Sequence, residues 1–142
     1  MAKLVGAHAY NSADQNVLNT TWLSLALNSE LYDTDTIHDT VTNNSRLTCN
    51  TAGIYLINGK FIWDTNQTNV RYIGIFLNNV TILALSQQLA NNSAQLDQQV
   101  TTIYDLSIGD YIELRAYQDS GGTIAIKYYA NYSPFLAMQR IG

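Results

Sequence analysis

Residues 53–63 read Gly53-Ile-Tyr-Leu-Ile-Asn-Gly-Lys-Phe-Ile-Trp63. Tyr55, Ile57, Phe61 and Trp63 fall on every second position, and Ile54, Leu56 and Ile62 occupy positions between them. A period of two is that of a β-strand, whose successive side chains point to opposite faces. Asn58-Gly59 is a turn dipeptide, yet the alternation runs straight through it, so the stretch is read as one long strand with a glycine at a bend rather than as a hairpin. This strand is apolar on both faces, and a sandwich covers only one of them. At about 25 cal/mol per Å2, leaving the second face wet costs several kcal/mol, which self-association removes.

Similar short runs of Ile, Val, Leu, Tyr, Phe and Thr recur on both sides, separated by Asn, Asp, Gly and Ser clusters. They predict ten strands, at 3–10, 21–27, 45–49, 53–63, 70–77, 80–86, 98–106, 111–118, 123–129 and 135–141. Asn78-Asn79 can take the left-handed dihedrals of a two-residue hairpin turn and joins two strongly apolar runs. A tight turn at Ile108-Gly109-Asp110 feeds a half-buried strand, with Ile112, Leu114 and Ala116 on one face and Tyr111, Glu113, Arg115 and Tyr117 on the other. Between 82 and 96 a helix competes, since Ile82, Leu85, Leu89 and Leu96 have helical spacing. Asn91-Asn92-Ser93 interrupts that pattern where a turn belongs, and the strand reading is preferred. Ten short strands in one small domain make an all-β sandwich or barrel.

The chain has 142 residues, 46% hydrophobic and 13% charged, with one Pro and one Cys. That is one domain, 1–142, with a single core. Seven Lys plus Arg against eleven Asp plus Glu leave a net charge of −4 without a basic stripe, which argues against nucleic-acid binding. No run reaches the ~18 apolar residues of a membrane span, so no membrane insertion is expected. Residues 1–16 lack the apolar core of a secretory signal, and manufacture in the cytoplasm is expected. Abundant Asn and Gln with scarce Lys and Glu predict a surface of neutral amides and hydroxyls, a pattern that suits extracellular or virion β-proteins. Cys49 has no partner for a disulfide and is read as a small packed residue.

No catalytic spacing stands out. His8 and His38 are the only histidines, and neither belongs to a metal-ligand motif. No serine sits in a Gly-x-Ser-x-Gly elbow. An enzyme, a cofactor and a metal site are therefore not expected.

Glu30, Asp33, Asp35 and Asp39 are followed by Arg46. A guanidinium can tie two such carboxylates bidentately and hold the loop, which predicts a structural Arg46. Two other readings stand beside it: solvated loop acids, and calcium on Asp33, Asp35 and Asp39, for which the glycine-containing loop spacing is missing. Tyr128, Tyr129 and Tyr132 are candidates for glycan contact, because aromatic rings beside amides suit a pyranose; tyrosine is also ordinary in strands.

The order of motifs carries a resemblance. Trp22 with Leu25, Glu30-Leu-Tyr-Asp-Thr-Asp35, His38-Asp39, Asn44-Ser-Arg-Leu-Thr48, Gly53-Ile-Tyr55-Leu-Ile57, Gly109-Asp-Tyr-Ile-Glu-Leu114 and Ser133-Pro-Phe135 follow one another as in C1q-like domains. The chain resembles, over roughly residues 8–141, the complement C1q and tumour necrosis factor-like superfamily in its bacterial and bacteriophage branch. The resemblance implies a ten-stranded antiparallel jelly-roll sandwich that assembles as a compact homotrimer and binds or caps without catalysis. Many members carry a collagen-like stalk. Here residues 1–7 read as a short lead-in with no Gly-x-y repeat, so a stand-alone trimer or a fragment is expected.

By the same resemblance the strands nearest the threefold axis are 98–106 and 135–141. Their faces away from the core would be Gln99, Thr101 and Ile103, and Phe135, Ala137 and Gln139; a register slip of one residue would exchange the faces. The function expected from this is a trimeric virion structural protein of a bacteriophage, decorating the head or forming a fibre tip, with a capsid or tail protein as partner. The alternatives are a lectin-like or receptor-binding module for host-surface glycans, and a bacterial spore-coat or cell-surface domain.

Overall fold

The computed structural model describes residues 4–90 and 94–142, and in that part all regular structure is β-strand. The start of the first expected strand at Lys3 and the expected turn Asn91-Asn92-Ser93 lie outside the described residues. Twelve strands follow in order: β1 (Gly6–Tyr10), β2 (Gln15–Val17), β3 (Leu23–Ser24), β4 (Ser29–Asp33), β5 (Arg46–Thr48), β6 (Gly53–Trp63), β7 (Val70–Leu77), β8 (Thr81–Leu89), β9 (Leu96–Leu106), β10 (Tyr111–Gln118), β11 (Ile124–Lys127) and β12 (Phe135–Arg140). Each of the ten expected strands has its counterpart. The two additional ones, β2 and β4, are short pieces that pair at the edges of a sheet.

The alternation in residues 53–63 does produce one uninterrupted strand, and β6 organises the molecule. Its whole length pairs antiparallel with β9, from Gly53↔Leu106 to Trp63↔Leu96. Its other edge pairs first with β12 and then, at Ile62 and Trp63, with β11. Adding β1 and β4 beyond β12, and β2 beyond β11, completes a seven-stranded sheet, here sheet A. Gly59 sits in mid-strand for a packing reason: a Cβ there would lie 2.5 Å from Leu114 Cδ1 of the facing sheet. The backbone thereby admits a leucine from the other layer.

Sheet B has five strands. β10 pairs with β7, and β7 with β8 through the Asn78-Asn79 turn, where both residues take positive φ (51° and 67°) as the hairpin requires. β3 and β5 pair with different halves of β10. The stretch that competes as a helix is β8 from Thr81 to Leu89, so strand pairing with β7 overrides the helical spacing.

Between the sheets lie Tyr55, Ile57, Phe61 and Trp63 of β6, Ile73 and Ile75 of β7, Ile112, Leu114 and Ala116 of β10, and Leu136 and Met138 of β12, all buried. The two faces of β6 and of β10 are thus the ones their alternation predicts. Cys49 is buried as well, with its thiol 3.2 Å from the Thr51 carbonyl, and burial pushes its pKa up.

One end of the core is polar. Trp63 Nε1 donates to Gln98 Oε1 at 2.7 Å, and Gln98 Nε2 donates to the Arg71 carbonyl at 3.1 Å. The Arg71 guanidinium donates to the carbonyls of Thr68 and Val70 and to Asn66 Oδ1 at 2.8 to 3.0 Å. Burial lowers its pKa, against a smaller opposing pull from the Asp119 carboxylate. This network ties β6, β7 and β9 together where the two layers meet.

Candidate interaction surface

The face of sheet A that points away from the core is built in rungs fixed by strand register. Gly6, Gln139, Leu56 and Ile103 lie side by side across β1, β12, β6 and β9. The next rung runs Tyr32, His8, Ala137, Asn58 and Thr101, and the third Tyr10, Phe135, Lys60 and Gln99. All six residues expected on the non-core faces of the two axial strands, Gln99, Thr101, Ile103, Phe135, Ala137 and Gln139, therefore share this surface. No register slip has exchanged the faces.

The surface is greasy at one end and aromatic at the other. Ile103 is 58% exposed, Ile54 43% and Leu56 41%, and they are neighbours. At the other end the His8 ring stacks on Phe135 at 4.7 Å between centroids, with Tyr32 6.3 Å away. His8 Nδ1 is closed off from solvent without a hydrogen-bond partner among the described residues, and burial lowers its pKa. Several polar groups on the face are bound to one another: Thr101 Oγ1 donates to Asn58 Oδ1 at 2.9 Å, Tyr32 Oη to Gln139 Oε1 at 3.2 Å, and Lys60 Nζ pairs with Asp97 at 3.1 Å. Gln99 of the third rung is exposed.

Tyr128, Tyr129 and Tyr132 follow β11 and line a hollow of about 130 Å3 with His8, Tyr10, Leu31 and Phe135. Tyr129 and Tyr132 stack on each other at 5.6 Å and 8°, Lys60 Nζ is 5.4 Å from the Tyr132 centroid, and Tyr129 Oη is bonded to Gln95. The three tyrosines line one hollow, but Tyr129 and Tyr132 use their ring faces on each other. The hollow is also well below the ~300 Å3 at which ligand pockets begin.

The acidic loop between β4 and β5 corrects an expectation. Arg46 makes no ion pair with Glu30, Asp33, Asp35 or Asp39; its guanidinium lies over the Tyr111 ring at 4.1 Å. Each acid has a local partner instead. Asp33 accepts from the backbone N–H groups of Asp35, Ile37 and His38 at 2.9 to 3.1 Å. Asp39 accepts from Val41 and Thr42, which holds its carboxyl below the usual carboxylate range, and Asp35 accepts from Thr51 Oγ1 at 2.8 Å. Glu30 meets His38 Nδ1 at 2.9 Å.

Backbone donors are already in place and need no long side chain to be ordered, which is why they take the carboxylates ahead of the guanidinium. Among the described residues no group of three or more His, Cys, Asp or Glu comes together as a metal ligand set, and the three aspartates of the calcium reading have separate partners: backbone amides for Asp33 and Asp39, the Thr51 hydroxyl for Asp35. The buried His38 ring is held between two oxygens. The Asn44 carbonyl, 2.8 Å from Nε2, can only accept, so Nε2 carries a hydrogen, and the Nδ1–Glu30 contact needs a further proton on one of its two atoms.

Sequence reasoning missed Leu31 and Tyr32, because β4 carries no clean alternation. It also missed a second ring cluster, on the outer face of sheet B. There Trp22 lies 5.2 Å from both Phe76 and Tyr117 and 5.9 Å from Tyr72, and Arg115 covers Phe76 at 4.4 Å.

No protein-family model and no curated protein sequence matches the chain. Solved structures do. Murine APRIL at pH 5.0 superposes with a TM-score of 0.73 at 11% identity, covering 98% of this chain and 100% of that one. Eiger TNF from S. frugiperda gives 0.70 at 12% identity, covering 98% and 93%. The globular domain of zebrafish complement 1qA protein gives 0.69 at 12%, covering 99% and 98%. Identities this low speak to architecture alone, and on that they agree across nearly the full length: the chain has the antiparallel jelly-roll fold of TNF and C1q globular domains.

Proposed function

We propose that the chain is a non-enzymatic module that works as a homotrimer, with the outer face of sheet A buried between copies. The observation that carries this reading is the open aliphatic patch of Ile54, Leu56 and Ile103, on the central strand β6 and its neighbour β9, beside the bonded pairs Thr101–Asn58 and Tyr32–Gln139. A second copy removes that apolar area from water. The fold supports three copies, since the resemblance from which it was expected implies a trimer. A non-catalytic role is supported by the histidines: both nitrogens of His38 are engaged, and His8 Nδ1 is shut away from solvent.

We place this trimer on a bacteriophage particle, as a head decoration or fibre tip held by a capsid or tail protein. Support comes from the resemblance to the bacteriophage branch and from a surface of amides and hydroxyls with few charges. Labelling purified particles with an antibody against the chain, followed by negative-stain microscopy, tests the placement. Label at threefold capsid positions or at fibre ends is expected; unlabelled particles would remove it and leave the trimer to be judged alone.

A further inference from the structure

Pairing Arg46 with acids was a natural expectation, and the structure leaves that cation without any. Glu113, directly opposite Arg46 on β10, accepts instead from Arg115 Nη2 at 2.7 Å and from Ser45 Oγ. The four loop acids are engaged with backbone amides, Thr51 and His38, as described above. Among the described residues the Arg46 guanidinium makes no hydrogen bond; its one charge contact is the ring of Tyr111. It lines an open concavity of about 380 Å3, formed by the β4–β5 loop and β5, together with Thr36, Asp39, Thr42, Asn43 and Thr48.

Asn50, also in this wall, is committed to the carbonyls of Asp35 and Thr36, and His38 to Glu30 and the Asn44 carbonyl, but several other groups are unengaged. The hydroxyls of Thr36, Thr42 and Thr48 and the side-chain amide of Asn43 have no hydrogen-bond partner among the described residues. Asp39 uses only Oδ1, for the amides of Val41 and Thr42. The size falls within the range of small-ligand sites. A guanidinium resting over a ring, 4.1 Å from its centroid, keeps its planar donor fork available to one carboxylate, for which bidentate pairing is the matching geometry. A lone Asp39 oxygen nearby accepts a hydroxyl and opposes a second negative charge on the ligand. One cation, one acceptor acid and several hydroxyl and amide groups are complementary to a molecule with one carboxylate and several hydroxyls.

We propose that this concavity is a binding site for a carboxylated sugar, such as a hexuronate unit of a surface glycan, with Arg46 holding the carboxylate. Thr42, Thr48 and Asn43 bind the hydroxyls, and Asp39 excludes polyanions such as phosphate. The site lies off the outer face of sheet A, and its test reads ligand binding rather than assembly.

The test is titration of the full chain with sodium glucuronate, followed by amide chemical shifts, with glucose, acetate and inorganic phosphate as parallel probes. Saturable shifts confined to residues 36–50 are expected with glucuronate. Affinity should fall about tenfold or more in Arg46→Gln, the loss of a charge-assisted hydrogen-bond pair. Thr42→Val, which removes one exposed hydroxyl, should weaken binding severalfold with an unchanged melting curve. No saturable shift with glucuronate would overturn the site. Equal binding of acetate would overturn the sugar assignment, equal binding of glucose or phosphate the role of a single carboxylate, and undiminished binding by Arg46→Gln the role of Arg46.

Discussion

The outer faces of the two sheets leave apolar side chains open in different places. Both carry large apolar side chains on the side away from the core. On sheet B the rings close over one another: Trp22 covers Phe76 until only 7% of that phenylalanine is exposed, and Arg115 lies across its ring. The guanidinium is in turn held by Glu113 and Asn79. Gly74 contributes by absence, since a Cβ there would lie 2.9 Å from Phe76 Cε1 and 3.3 Å from Leu85 Cδ1. On sheet A the open aliphatic residues Leu56 and Ile103 are register partners on the central strand β6 and on β9. Sheet B closes the middle of its surface and leaves Ile82, Leu85 and Leu89 open (48, 46 and 75%) on its edge strand β8. The open apolar residues thus sit at mid-sheet on A and at the edge on B, which favours sheet A as the face that another copy covers.

The comparison breaks first on sheet A. Ile103→Asp places a carboxylate where copies meet, and burying an unpaired charge costs several kcal/mol. Complete dissociation is expected by light scattering at micromolar concentration, whereas Gln87→Asp, on the exposed outer face of sheet B, should leave the assembled mass unchanged. On sheet B the largest effect comes from Trp22→Ala, which uncovers three rings. It should lower stability by about 2 kcal/mol in urea unfolding and leave the mass unaltered.

His8 sharpens the contrast through pH. Burial between Phe135 and Tyr32 lowers its pKa below the ordinary histidine value of about 6.5. Between that lowered value and 6.5 the unfolded chain binds more protons than the folded one. Stability is therefore full above 6.5, falls as pH drops through this window, and levels off below the folded pKa. Acid should loosen both the fold and the assembly, and His8→Phe should remove that part of the slope in a melting series across pH. The smallest effect belongs to Arg46→Gln. With only a ring contact to lose, it should cost about 1 kcal/mol or less in the same measurement, while an ion-paired Arg46 would show salt-dependent melting that the variant abolishes.

What the sequence made legible was whatever repeats with period two over a long run. β6 and β10 could be assigned strand by strand and face by face because apolar residues hold most of their core positions over a long run. The Asn78-Asn79 turn was readable from local backbone preference alone. β4 was not readable, since Ser29-Glu-Leu-Tyr-Asp33 has no alternation. It becomes a strand by pairing with β1, across a bulge between His8 and Ala9. β2 is likewise created by its partner β11.

The loop acids misled for a related reason. Nearness in sequence suggested Arg46 as their partner, but an aspartate at a turn reaches the amides two to five residues on without ordering a second side chain. The unclaimed guanidinium was invisible until the acids were seen to be occupied.

Assembly through sheet A is the central claim, and sedimentation velocity on the purified full chain at micromolar concentration tests it most directly. A single species at three times the 15.8 kDa chain mass is the predicted result. A monodisperse species at the mass of one chain would contradict it.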